Sequence, residues 1–181
     1  MRNDLQVLVE KVGALTKGWG RPSALIGGLA IAARVRVRVT KDADVAIAVP
    51  PGTEAELLRL ATSTGFTYDP VETGKFMPGG LVRLWLPSEG KVLGLDLLFA
   101  NEPFFEEVVR RATTLKFWDV ELTVATVEDL LLMKLDANRP NDWDDAIAIK
   151  DAHGPTLDRA YIDRQAEYLD VKARVVALLD P

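Results

Sequence analysis

Three aspartates in apolar surroundings are the residues of this sequence best suited to chemistry. Asp42 and Asp44 stand two positions apart in DADVAIAV, and Asp96 is the only charge in GLDLLF. On a strand, this spacing points both carboxylates of the pair to one face, about 6–7 Å apart. A divalent cation relieves the repulsion between such close charges, and Mg²⁺ prefers oxygen ligands. If the two strands are neighbours, the sequence predicts a three-carboxylate site for one or two Mg²⁺ ions.

An ordinary structural role for these aspartates is also open. Aspartate pairs near the start of a strand commonly cap a loop or lie in solvent, so the D-x-D pattern alone is a weak signal. Asp96 is harder to explain in that way, because an unpaired charge inside an apolar strand is strongly unfavourable. Together the two patterns favour a site over a solvated strand end.

The glycine doublet Gly27–Gly28 follows the apolar stretch SALI and precedes the small-residue stretch LAIAARV. Glycines between a strand and a helix let backbone amides approach an anion, and the helix N-terminus adds positive potential. Many such turns use glycine for steric reasons only. The doublet is not a P-loop, which needs a lysine and a serine or threonine at fixed positions. Because its backbone amides could approach an anion, the doublet is still a candidate phosphate-binding turn.

Lys134 lies in the stretch LLLMKL, which is apolar nearly all round on a helix. A lysine there is costly unless it is paired. Three environments are open: an ion pair with Asp145 on the next helix, the triphosphate of a nucleotide, or extension of the ammonium group to solvent. Asp142 and Asp144 are expected only to complement the dipole at the start of that next helix.

The composition is that of a globular protein of 181 residues, with 48% hydrophobic residues and a formal net charge of −5. This acidity argues against nucleic-acid binding through the whole surface, although a local basic patch stays open. The absence of cysteine and the single histidine, His153, exclude disulfides, thiolate sites and multi-histidine metal sites. No apolar run reaches the ~18–20 residues of a membrane span, which predicts a cytoplasmic protein without membrane contact.

The elements that must position these residues follow from periodicity and turn signals. They predict an α/β (α+β) chain, with a mixed β-sheet core and flanking helices over 1–124 and a C-terminal helical region packed on it over 125–181. The expected strands cover 23–28, 35–40, 42–49, 81–87 and 91–100, with an extended piece over 115–124. The expected helices cover 4–17, 29–35, 54–63, 102–112, 126–137, 142–151, 157–168 and 171–179, with a loop over 65–80.

These motifs in combination resemble the nucleotidyltransferase superfamily of the DNA polymerase β type. The resemblance rests on IGG at 26–28, the R-x-T-x-D-x-D pattern over 38–44, and the later Asp96. That pattern and ATVEDLLLMKLDANRPNDWDDAIAI over 125–149 look like the AbiEii-like branch, the toxin-like minimal nucleotidyltransferases of toxin–antitoxin systems. The second glycine of the doublet replaces a serine found in many members, which removes one hydroxyl donor.

The resemblance implies Mg²⁺-dependent transfer of a nucleoside monophosphate from an NTP to a hydroxyl acceptor. It implies a two-metal site on Asp42, Asp44 and Asp96, with Lys134 neutralising the charge that develops in catalysis. The nucleotide-binding residues that it implies are Gly27, Gly28, Arg38, Thr40, Lys134 and Asp145.

The acceptor stays open at this point. The branch implies a tRNA or other RNA end, or a protein hydroxyl, and an antitoxin protein as a possible partner. An RNA acceptor would need a local basic groove, for which the candidates are Arg36, Arg38, Arg110, Arg111 and Lys116; for Arg36 and Arg38 a solvated strand edge is equally open. The alternatives are an antibiotic-type small-molecule nucleotidyltransferase and an inactive nucleotide- or partner-binding module.

Overall fold

The structure is a computed structural model that describes residues 3–36, 40–77 and 80–180. Its described residues form one six-stranded mixed sheet with the strand order β3-β4-β2-β1-β6-β5. The strands are β1 (Ser23–Ile26), β2 (Asp42–Ile47), β3 (Leu81–Ser88), β4 (Lys91–Phe99), β5 (Thr113–Phe117) and β6 (Val120–Val124). The parallel pairs are β2 with β4 and β1 with β6, and the other neighbours are antiparallel. The predicted α/β fold class is confirmed.

Helices surround this sheet and fill the C-terminal third. They are α1 (Asp4–Trp19), α2 (Gly27–Arg34), α3 (Glu54–Ser63), α4 (Pro70–Phe76), α5 (Pro103–Arg111), α6 (Val127–Ala137), α7 (Pro140–His153), α8 (Arg159–Tyr168) and α9 (Lys172–Leu179). Their ends carry the expected local signals. Asn3 caps α1 and Thr126 caps α6 through side-chain oxygens that accept backbone amides, and Gly20 ends α1 in the left-handed conformation.

The core is a continuous cluster of apolar side chains that runs from the sheet into the C-terminal helices. In β2, the side chains of Ala43, Val45 and Ile47 are buried, while Asp42 is exposed and Asp44 is half-buried. This alternation follows from the two-residue period of a strand with one apolar face. The apolar face therefore anchors the strand, and the acidic face is left for another use.

The loop predicted over 65–80 is wrong in part, because α4 occupies Pro70–Phe76. Asp69 accepts hydrogen bonds from the backbone amides of Val71 and Glu72, and Pro70 stands at the first helical position. An N-cap aspartate followed by proline is a helix-start signal, which the glycine and threonine content of the segment obscured. The extended piece predicted over 115–124 is a hairpin of β5 and β6.

The strand predicted over 35–40 is wrong at its first two residues. The backbone amides of Val35 and Arg36 both donate to the carbonyl of Ile31, so these residues close the end of α2. The rest of that segment up to residue 39, including Arg38, lies outside the described residues. The alternation of valine and arginine was therefore not sufficient to define a strand there.

The C-terminal helices pack against the sheet unit through α6, which contacts α2, α7, α8 and α9. The backbone amide of Ala125 also donates to the carbonyl of Leu25, at 3.0 Å, where β1 meets the segment that leads into α6. The division into a core over 1–124 and a helical region over 125–181 stays a prediction. Within the described residues, no helix has both the length and the apolar character needed to cross a membrane.

Candidate active site

The strand register brings the predicted carboxylates together on the sheet. Because β2 and β4 pair in parallel, Asp44 lies directly opposite Asp96, and Asp42 lies opposite Gly94. Directly paired residues on neighbouring strands, about 4.8 Å apart, point their side chains to the same face. On its other side Asp44 is opposite Ile26, the last residue before the glycine doublet. The acidic face of β2, Asp96 and the turn into α2 thus form one site.

A glycine is required at position 27 by the position of Asp44. Gly27 has a φ of +65°, and a Cβ at this residue would stand only 2.0 Å from Oδ2 of Asp44. The backbone amide of Gly28 donates a hydrogen bond to the Asp44 carboxylate. Gly27 therefore leaves room for the carboxylate of Asp44, and the amide of Gly28 helps to fix its position. The sequence alone did not indicate this role.

We expect Gly27→Ala to lower the free energy of unfolding by more than Gly20→Ala does. Alanine is strained at this φ in both variants, at a cost of about 1–3 kcal/mol, but only at Gly27 would its Cβ also displace the carboxylate of Asp44. Gly20→Ala is the matched control, since Gly20 has the same φ of +65° and a Cβ there would meet nothing within 4 Å. Urea unfolding of both variants measures the difference. Equal losses would show that the contact with Asp44 does not constrain Gly27.

Gly94 is a second glycine that the site requires, and sequence reasoning missed it. Its backbone amide donates to Oδ1 of Asp42 at 3.1 Å, and a Cβ at Gly94 would stand 2.6 Å from that same oxygen. A signal was present, because an isolated glycine inside a strand often marks a close approach of other atoms. Its partner could be identified only from the pairing of β2 with β4.

The electrostatic environment of Asp44 disfavours its charged form. Burial raises the pKa of Asp44 above its ordinary value, and the charge of Asp96 raises it further, with a smaller contribution from Asp42. The ammonium group of Lys134 acts in the opposite direction. A cluster of oxygen ligands with surplus negative charge has the chemistry that suits Mg²⁺.

The arrangement of the three carboxylates does not yet match a metal centre. Within residues 3–36, 40–77 and 80–180, no group of three or more acidic, histidine or cysteine side chains is placed so that it could hold a metal ion. Asp96 is engaged by Arg83, whose Nε donates to Oδ1 at 2.6 Å and whose Nη2 donates to Oδ2. The donor chemistry therefore fits a divalent cation, while the third carboxylate is occupied by a guanidinium group.

Arg83 was also missed from the sequence. It is a charged residue in β3, which forms a hairpin with the strand of Asp96. The pairing of Ser88 with Lys91 at the hairpin turn sets the register, so that Arg83 falls opposite Asp96. Since turn length fixes the register of a hairpin, this contact could have been predicted from the sequence.

Lys134 forms a buried ion-pair cluster on the helical side of the site. Its Nζ lies 2.8 Å from Oδ1 of Asp142 and 3.1 Å from Oδ2 of Asp145, and its side chain is 9% exposed. Asp145 also accepts a hydrogen bond from Nη2 of Arg36 at 2.9 Å. The ion pair with Asp145 is thus present, and the extension of Lys134 into solvent is excluded.

The interpretation of Asp142 as only a helix-start residue is wrong. Its side chain is 4% exposed and also accepts a hydrogen bond from Nε of Arg139 at 2.5 Å. Burial opposes its ionisation, but the hydrogen bonds from Arg139 and Lys134 outweigh burial and lower the pKa of Asp142. Asp144, in contrast, is exposed on α7, as a residue at a solvated helix start would be.

These groups line a cleft of about 740 Å³ between the sheet and helices α6 and α7, within the ~300–1,000 Å³ that small-ligand sites occupy. Gly27, Gly28, Thr40 and the three carboxylates lie along it with Lys134, and an apolar wall includes Phe104, Phe105, Leu130 and Met133. The hydroxyl of Thr40 donates to the backbone carbonyl of Asp42 at 2.9 Å. Asp145 itself is fully buried behind Lys134.

Known structures share this architecture. The chain is similar to an antigenic nucleotidyltransferase-like protein from Paracoccidioides brasiliensis, with a TM-score of 0.57, 15% identity, and coverage of 98% of this chain and 92% of that one. JHP933 from Helicobacter pylori matches with a TM-score of 0.53 and 15% identity over 96% and 78%. The antibiotic-resistance factor ANT(2'')-Ia matches with a TM-score of 0.53 and 17% identity over 97% and 96%.

At identities of 15–17%, these likenesses establish the fold. The chain has a nucleotidyltransferase fold, as its motifs predicted. No family model and no curated protein matches the sequence. The AbiEii-like branch is therefore a resemblance in the motifs alone.

Proposed function

We propose that this protein is a Mg²⁺-dependent nucleotidyltransferase that transfers a nucleoside monophosphate from an NTP to a hydroxyl acceptor. One observation carries the proposal: the register that sets Asp44 opposite Asp96, directly beside the turn of Gly27 and inside the cleft. In the proposed reaction, the acceptor oxygen attacks the α-phosphorus, and the bond from that phosphorus to the pyrophosphate oxygen breaks.

In this proposal Asp42, Asp44 and Asp96 would hold the metal, which would screen the triphosphate and stabilise the leaving pyrophosphate. Lys134 lies close enough to Asp44 to influence its ionisation. In this proposal its ammonium gives up part of its pairing with Asp142 and Asp145 when the nucleotide binds, and then neutralises charge on the phosphates. Asp96 is the proposed acceptor of the proton that the attacking hydroxyl releases. The start of α2 adds the positive end of a helix dipole on the phosphate side.

The first candidate acceptor is an RNA end or a protein hydroxyl, in the role of a toxin with an antitoxin partner, as the AbiEii-like motifs imply. The candidate basic groove gives little support to RNA within the described residues, because Lys116 is exposed but lines a different cleft from the three carboxylates and the described arginines are paired. Arg36 is paired with Asp145, Arg110 with Glu107, and Arg111 with Glu128 and Asp129. Arginines that neutralise buried or neighbouring carboxylates contribute little free charge to a phosphate backbone.

The second candidate acceptor is a small polyhydroxyl molecule that carries positive charge. In the part of the chain that the structure describes, the cleft is lined by five aspartates, Asp42, Asp44, Asp96, Asp136 and Asp142, against the three cationic side chains Arg83, Lys134 and Arg139. This excess of acid favours a cationic acceptor over a polyanion. ANT(2'')-Ia, which has a similar fold, has been crystallised in complex with adenylyl-2''-tobramycin.

The test is a transfer assay with each of the four α-labelled NTPs, Mg²⁺, and three acceptor pools: total RNA, purified proteins and aminoglycosides. We expect label to move to one pool, and to require both the protein and Mg²⁺. If calorimetry showed NTP binding but no label were transferred, the protein would be an inactive nucleotide-binding module and not an enzyme. Neither binding nor transfer would contradict the proposed function as a whole.

A further inference from the structure

Arg83 occupies the carboxylate that a metal would need. Both oxygens of Asp96 accept hydrogen bonds from its guanidinium group, one from Nε at 2.6 Å and the other from Nη2. Such a two-pronged contact takes one lone-pair site on each carboxylate oxygen. The guanidinium also repels a second cation at these atoms, so Arg83 and a metal ion compete for Asp96.

The charge of Arg83 also serves the other two carboxylates. Asp42 and Asp44 both interact electrostatically with its guanidinium, in addition to Asp96. One cationic side chain thus contacts Asp96 and also acts electrostatically on the other two acidic groups that are proposed to gather around magnesium. The guanidinium therefore supplies these carboxylates with positive charge that a divalent cation would otherwise supply.

The ion pair between Arg83 and Asp96 is accessible to solvent and can open. The side chain of Arg83 is 57% exposed and that of Asp96 is 21% exposed, so water and ions reach the pair. Solvent-exposed ion pairs stabilise a protein by only about 0.2–1 kcal/mol, because the two partners are well hydrated when they separate. The guanidinium also lies 5.6 Å from the ring centroid of Trp85 on the same strand, which gives it a second surface to rest on.

We propose that Arg83 competes with the divalent cation for Asp96, so that the metal site is completed only when Arg83 leaves. This inference rests on the metal site of the proposed function. It explains why the described residues contain three converging carboxylates but no group that is ready to hold an ion. Loading the site then frees a partly exposed guanidinium in the lining of the cleft.

The test is calorimetric titration of Mn²⁺, as a Mg²⁺ substitute, into the full chain without nucleotide. Arg83→Gln is expected to bind Mn²⁺ about 1.4- to 5-fold more tightly than the wild type, the fold-change that corresponds to the roughly 0.2–1 kcal/mol of one exposed ion pair. Arg139→Gln is the matched control, because Arg139 lines the same cleft and its charge interacts with Asp44, but it pairs with Asp142 and not with Asp96. If both variants gained the same Mn²⁺ affinity, the cause would be the removal of any positive charge from the cleft. That result would overturn the inference.

Asp96→Asn provides the second arm of the test. In the Asp96→Asn background, Arg83→Gln should give no further gain in Mn²⁺ affinity, since the shared carboxylate is gone; a gain of the same size would overturn the inference. Wild-type binding of Mn²⁺ without any gain in Arg83→Gln would overturn the role of Arg83 and leave the proposed function standing. No Mn²⁺ uptake by any variant would overturn both.

Discussion

Asp44→Asn is expected to reduce nucleotidyl transfer by about 10²- to 10³-fold or more, the size of effect that follows the loss of one preorganised electrostatic group at a reacting centre. Asparagine keeps the shape of the side chain and the contact with the turn of Gly27, but it removes the charge that would hold the metal. The measurement is the initial rate of transfer from an α-labelled NTP. Asp144→Asn is the control, because Asp144 is an exposed aspartate on α7.

The same variant is expected to be more stable than the wild type when no divalent cation is present. Burial, followed by the charges of Asp96 and Asp42, raises the pKa of Asp44 in the folded state. The folded state therefore binds the proton of Asp44 more tightly than the unfolded state does. As the pH rises from the ordinary pKa of aspartate through the raised value, the wild type loses stability relative to its protonated form.

Asparagine is neutral at every pH and avoids that loss, so the stability difference should grow with pH over this window and then level off. Urea unfolding of both proteins at several pH values, with a chelator present, measures it. A variant that is inactive and also less stable would instead show that Asp44 serves the fold. A variant that retains wild-type transfer would remove Asp44 from the site.

Lys134→Met is expected to lower the free energy of unfolding by about 3–5 kcal/mol, the cost of removing one partner from a buried ion pair. Methionine preserves much of the apolar stem but leaves Asp142 without its 2.8 Å partner and Asp145 without its 3.1 Å partner. Asp142 keeps Arg139 and Asp145 keeps Arg36, so the fold is expected to survive with reduced stability.

The matched control is Lys172→Met, which removes a lysine from the exposed pair with Glu167, where both side chains are more than 60% exposed. An exposed pair contributes about 0–1 kcal/mol, so this variant should unfold close to the wild-type urea concentration. If Lys134→Met lost no more stability than Lys172→Met, the cluster around Lys134 would not be structural. Transfer activity should fall in Lys134→Met alone, because only Lys134 lies in the cleft with the proposed phosphates.

Local patterns in the sequence were sufficient for most elements and for the identity of the acidic residues. The two-residue alternation in DADVAIAV placed Asp42 and Asp44 on one face of a strand, and the structure has that strand as β2. The lone charge in GLDLLF identified Asp96, and the helices predicted after residue 125 are all present. These features depend on neighbours within a few positions along the chain, which periodicity and capping residues report directly.

The two wrong predictions have different physical origins. Val35 and Arg36 begin an alternating pattern, but the helix before them extends through Arg34, and the carbonyl of Ile31 accepts hydrogen bonds from both of their backbone amides. A pattern of alternating residues is compatible with more than one backbone path, and the hydrogen bonds of a neighbouring element decide between them. The glycine and threonine content of segment 65–80 predicts a loop, but the N-cap at Asp69 and the proline after it start a helix there.

By itself, then, the sequence determined which side chains could perform chemistry, on which face of β2 they lie, and that Lys134 needed a partner. Only the tertiary structure decided that Asp44 and Asp96 are opposite each other, that Gly94 makes room for Asp42, and that Lys134 has two carboxylate partners. These contacts join residues of separate elements, and most of them are distant in the chain. Their geometry is set by the pairing of strands and the packing of helices across the whole core, which no local pattern encodes.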